Sequence, residues 1–241
     1  MIIETNEFIT GLLSFVLVIT VVYIGLFIAS RYRKSNNKVF IFAGVACSGL
    51  FDGWYPSAVN FLLIVFTGQS LSQEAFFLIG NLPLGFQMLS WVFAVTELTY
   101  KERQKLMLSI YGIISIVFYI AFFYYIFTDS SVIGVLLSPV DVQYKGFTLL
   151  YILFCFASVV IFGLLLAKEL LKSEEKESRL KAKFLIYTFL VWAFFGALDA
   201  AISLEIILLI IVRFILLSTA FTFYCGWFLP ESIKRIFIKG N

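Results

Sequence analysis

From Phe8 to Ser30 the chain runs without a single charge, and stretches of this kind recur to its end. About twenty apolar residues in helical form match a hydrocarbon layer about 30 Å thick, so the recurrence decides the fold class. Seven such spans can be read, at about 8–30, 39–67, 75–98, 104–128, 146–171, 184–204 and 206–229. With 61% hydrophobic and 14% charged residues, a water-facing domain has nowhere to hide the apolar surface. The short alternating segments of a membrane barrel do not occur. The expected architecture is all-α: an integral membrane bundle of seven transmembrane helices, one domain over residues 1–241.

The connecting segments alternate in charge. "MIIETNE", "GQSLSQE", "DSSVIGVLLSPVDVQYK" and the turn at Leu204–Glu205 are acidic. "RYRKSNNK", "TYKERQK", "KELLKSEEKESRLKAK" and the tail "ESIKRIFIKGN" are basic. Positive charge stays on the cytoplasmic side, which predicts an outside N-terminus, a cytoplasmic C-terminus and a plasma or cytoplasmic membrane location. The net charge of +3 is therefore a topology signal, aided by anionic lipid, and not a sign of nucleic-acid binding. The first span lacks the basic n-region of a cleaved signal and is expected to stay.

In residues 168–183, Glu175–Arg179 and Glu177–Lys181 have the favourable i,i+4 order, so the fifth span is expected to continue as a helix. This segment and the basic tail are the candidate docking surface for a cytoplasmic protein partner. "SSVIGVLLSP" is too short to span and is expected to lie on the membrane or cap the bundle. Tyr32, Tyr100, Tyr124, Tyr125, Tyr144 and Trp227 fit an aromatic belt.

Histidine is absent, which excludes histidine-ligated haem, three-histidine zinc sites and a Ser-His-Asp triad. Cys47, Cys155 and Cys225 fall within spans, so no disulfide framework is expected. No metal set and no catalytic residues are assigned. "GLFDG" (Gly49 to Gly53) and "GALDA" (Gly196 to Ala200) share a G-x-x-D-small pattern. They suggest parallel three-helix repeats of the kind some transporters use.

The candidate site starts from three charges inside the spans. At 1.5 Å per residue, Asp52 lies about 10 Å, Asp199 about 8 Å and Arg213 about 12 Å below the outer surface. A buried charge costs at least about 2.5–3.5 kcal/mol on insertion scales, so these groups must face the interior and find partners. Arg213 is expected to pair with Asp52 or Asp199 while the remaining acid titrates. Gly53, Pro56 and Pro83 are expected to kink their helices and free carbonyls toward a cavity. Asn81 and Gln87 would line a polar pocket opening outward, and Trp54, Trp91 and Trp192 an apolar part of it.

The end of the last span, "FYCGWFLPESIKRIF" (Phe223 to Phe237), resembles the seven-helix sensory modules of archaeal and bacterial signalling proteins. The resemblance covers about twenty residues and implies sensing through a separate partner, because no output domain follows. Retinal is argued against: every lysine lies outside the predicted membrane core, and Arg213 cannot form a Schiff base. "TELTYKER" (Thr96 to Arg103) and "FTFYCGWFLP" (Phe221 to Pro230) lack the signatures of G-protein-coupled receptors, and spans one and five lack the Pro-Gln motifs of small sugar transporters. The sequence thus points to an orphan receptor or sensor for an unknown small ligand. A small-solute or proton-coupled transporter is the alternative, and an enzyme using both aspartates comes third.

Overall fold

A computed structural model describes residues 4–201 and 204–238; Met1–Ile3, Ile202, Ser203 and the last three residues of the basic tail lie outside the described residues. The chain is 83% helical. Eleven helices are described: α1 (Thr5–Ser30), α2 (Tyr32–Ser35), α3 (Val39–Gly49), α4 (Tyr55–Thr67), α5 (Gln73–Asn81), α6 (Leu84–Thr99), α7 (Gln104–Thr128), α8 (Gly146–Leu171), α9 (Lys176–Ala201), α10 (Ile206–Trp227) and α11 (Glu231–Phe237). Six helical stretches are long and apolar enough to cross a membrane, and a bent pair, Val39–Gly49 with Asp52–Thr67, adds a seventh if counted as one span.

Element ends follow the local chemistry. Glu4 and Glu7 form a capping box at the start of α1. Ser72 Oγ accepts from Ala75 N at 3.2 Å and starts α5. Gly68, at φ +70°, supplies the left-handed residue that stops α4. Gly25 and Gly44 let α1 and α3 touch backbone to backbone, since a Cβ on Gly25 would stand 2.6 Å from the Gly44 carbonyl oxygen.

Helix α1 packs on α3, α4 and α10; α6 on α3, α7 and α8; α9 on α8 and α10. In its most apolar 18 residues the stretch Gln73–Thr99 has 61% buried and forms the centre of the bundle, whereas Lys101–Thr128 has 17% buried there and flanks it. Midway, Trp91 packs against Phe189 and Phe223 with ring centroids 5.4 and 5.9 Å apart, all three at most 2% exposed.

Two departures from the sequence expectation matter for the site. The bend in the second span is 48° and falls at Leu50–Phe51, ahead of Gly53 and Pro56. Pro56 sits in the first turn of α4, where its missing N–H has no intrahelical partner to lose. Gly53 is exposed, and a Cβ there would meet nothing within 4 Å. Secondly, of the two placements expected for the apolar loop after α7 it takes the capping one, and it does so as strands, which the sequence did not suggest. It forms an antiparallel hairpin, β1 (Gly134–Ser138) and β2 (Asp141–Tyr144), that packs onto the bundle. The two G-x-x-D stretches also differ: Asp52 opens a 3-10 turn, Asp52–Trp54, whereas Asp199 lies within α9.

Candidate functional site

Two turns into α10, the Arg213 guanidinium meets the carboxylate of Asp199. Arg213 Nε donates to Oδ1 at 3.2 Å, and Nη2 lies 3.1 Å from Oδ2, with each side chain 6% exposed. This fork geometry is the one arginine makes best. Asp199 Oδ2 also accepts from Trp54 Nε1 at 2.8 Å. The third nitrogen, Nη1, donates to Ser14 Oγ at 3.1 Å, and Ser14 Oγ in turn donates to Thr10 O at 2.9 Å. Arg213 Cζ stands 5.2 Å from the Trp54 ring centroid, within cation–π range. Helices α1, α9 and α10 and the Asp52–Trp54 turn are thereby tied at one point.

Asp52 does not join this clasp. It forms no ion pair among the described residues. Its span breaks just before it, which turns its side chain toward α6 and α8 instead of α10. There it lines a void of about 30 Å³ together with Gly49, Gln87, Met88, Trp91 and Cys155. Gln87 Oε1 is buried there without a hydrogen-bond partner among the described residues. Gln87 presses so closely on α3 that a Cβ on Gly49 would stand 2.9 Å from this oxygen. At about 10–15 Å³ per water, the void has room for two or three waters and no more.

The remaining expected site residues repair the two broken spans. Trp192 Nε1 donates to Leu50 O at 2.9 Å, and Tyr55 Oη to Ser48 O at 3.1 Å, so carbonyls released at the first bend are satisfied. At the second break, Pro83 follows the end of α5; Tyr119 Oη donates to Leu82 O at 2.7 Å and accepts from Gly85 N at 2.9 Å. Asn81 Nδ2 donates to Phe77 O at 2.8 Å and to Tyr144 Oη at 3.3 Å.

Tyr144 belongs to the hairpin, and further side chains hold that hairpin down. Ser57 Oγ donates to Val140 O at 2.7 Å and Asn60 Nδ2 to Pro139 O at 2.5 Å, while Asn60 Oδ1 accepts from Leu71 N at 2.7 Å. The hairpin thus packs over the place expected for the pocket: Asn81 Nδ2 is engaged there, while Asn81 Oδ1 and Gln87 Oε1 stay buried without a hydrogen-bond partner among the described residues. Asp141, in this hairpin, accepts from its neighbour Val142 N at 2.8 Å. Its pKa is pushed above the ordinary carboxylate value by partial burial and further by the charge of Asp199, with Arg213 opposing. The second acid in the field of Arg213 is thus Asp141, from the loop.

Sequence reasoning passed over Ser14, Ser57, Asn60 and Asp141. Asn60 carried a usable signal, an amide in an apolar run that has to find partners. Ser14 carried none, because serine satisfies itself within a helix.

Apolar helices, internally satisfied helix breaks and a buried ion pair define a helical membrane protein. No protein-family model matches the sequence, and no curated protein matches it.

Proposed function

We propose that this protein is a seven-helix membrane sensor or receptor, closed in the state described, with its N-terminus and hairpin outside and its basic end in the cytoplasm of the plasma or cytoplasmic membrane. The observation that carries the reading is the clasp: Asp199 and Arg213, bound to Ser14 and Trp54, lie within the electrostatic reach of Asp141 on a hairpin held down by side chains. A ligand that lifts the hairpin removes a negative charge from this field and breaks the Asn60 and Ser57 bonds. The clasp then rebalances, and α9 and α10 carry the shift to their far ends, where the basic segments can engage a partner. The aromatic plug of Trp91, Phe189 and Phe223 argues for sensing over passage, since it fills the middle of the bundle.

A proton- or cation-coupled carrier is the second reading. It is favoured by Asp52 and the unpartnered Gln87 Oε1 at the meeting of two broken spans, an arrangement that transporters use near the membrane midplane. Vesicle reconstitution separates the two. With a trapped pH dye and an imposed proton gradient, the sensor reading expects leakage equal to that of empty vesicles. Proton flux that disappears in Asp52→Asn replaces it with the carrier.

A further inference from the structure

At the basic end of the bundle, Lys176, Arg179 and Lys183 project from one face of α9 at i, i+3 and i+7, with Leu180 between them. Together with Phe237 and Ile238 they line a cleft of about 270 Å³. Two of the neighbouring carboxylates are already paired with other lysines. Glu177 pairs with Lys181 at 3.0 Å and with Lys234 at 2.9 Å, and Glu231 with Lys234 at 3.2 Å. Glu175, expected to neutralise Arg179, instead accepts from Ser178 Oγ at 3.1 Å. Among the described residues, Lys176, Arg179 and Lys183 have no carboxylate partner. The Glu177–Lys234 pair pins α11 against α9 and so fixes the far wall of the cleft. Ile236 and Phe237, 67% and 56% exposed, face outward beside it.

We propose that this cleft binds the phosphate headgroup of one anionic phospholipid, with the three cations on the phosphate and Leu180, Phe237 and Ile238 against its glycerol and first acyl carbons. Three uncompensated cations specify an anion, and the apolar wall beside them distinguishes a lipid from a free phosphate ion. The cleft lies where the last span leaves the bilayer, at headgroup level, where basic residues gain most from anionic lipid. The proposal rests on the proposed orientation only for which leaflet supplies the lipid.

Native mass spectrometry of the full chain, released from micelles holding equal dioleoyl phosphatidylglycerol and phosphatidylcholine, tests it. One retained phosphatidylglycerol per chain is expected. The K176Q/R179Q/K183Q variant is expected to lower its retention at least roughly tenfold, with helicity by circular dichroism unchanged. A control that removes the same charge from the same end, K34Q/K38Q/K105Q, is expected to retain the lipid. Equal retention by the cleft variant, or equal loss in the control, overturns the site. Displacement by inorganic phosphate at concentrations matched to the lipid overturns the assignment to a lipid. Micelles have no sidedness and the readout involves no flux, so a failure here leaves the sensor reading intact, and the reverse also holds.

Discussion

Removing the Arg213 guanidinium leaves the Asp199 carboxylate buried with Trp54 Nε1 as its remaining side-chain donor. Stripping one partner from a buried pair costs about 3–5 kcal/mol, because the surviving charge has neither water nor a counter-ion. Arg213→Ala is therefore expected to lower the Tm in detergent sharply and cut the folded yield. Arg213→Lys keeps the charge, loses the fork and should fall between it and the natural protein. Asp52→Asn, outside the clasp, should leave the Tm close to the natural value. An alanine variant as stable as the lysine variant would mean that the clasp contributes no net stability. Depth counting put Asp52, Asp199 and Arg213 at one level and left open which acid Arg213 takes; the structure pairs it with Asp199, which lies across one short turn from it. For Asp52 the same ruler failed. It assumes an unbroken helix, and the 48° bend at Leu50–Phe51 changes the direction of the side chain.

The hairpin has its own titration. Asp141 has a folded-state pKa above that of the unfolded chain, so the docked hairpin favours its protonated form. The sign is definite: docking is strongest below the unfolded value, about 3.9, and weakens as pH rises through the raised folded value. Hydrogen exchange at Val135 and Gln143, compared between the natural protein and Asp141→Asn at each pH, checks it. Opening should rise with pH in the natural protein relative to the variant, and parallel curves would refute the linkage. The hairpin itself was the least legible element. Val135, Leu136 and Leu137 have the composition of an interfacial segment, and two strands of five and four residues leave too little alternation to register. What marks the hairpin lies elsewhere, in Ser57 and Asn60, and a contact some eighty residues away in sequence has no local signature. The helices, in contrast, were legible because lipid leaves the backbone few other options.

Charge is distributed over the whole molecule along one axis. Among the described residues, every Lys and Arg except Lys145 and Arg213 belongs to the end of the bundle opposite the hairpin. In the proposed orientation this basic end faces the cytoplasm, and the three native cysteines give the test a clean background, since Cys47, Cys155 and Cys225 are all buried. A membrane-impermeant maleimide should find little to label in the natural protein. Ser131→Cys, at an exposed position beside the hairpin, should label in intact cells. Ser173→Cys, between α8 and α9, should label only after the membrane is opened. The reverse pattern inverts the molecule: it would put the clasp's hairpin in the cytoplasm and the basic cleft outside, and remove the basis for reading the hairpin as a lid over an extracellular ligand. Labelling of both positions in intact cells would indicate mixed insertion, which so one-sided a charge distribution should not permit.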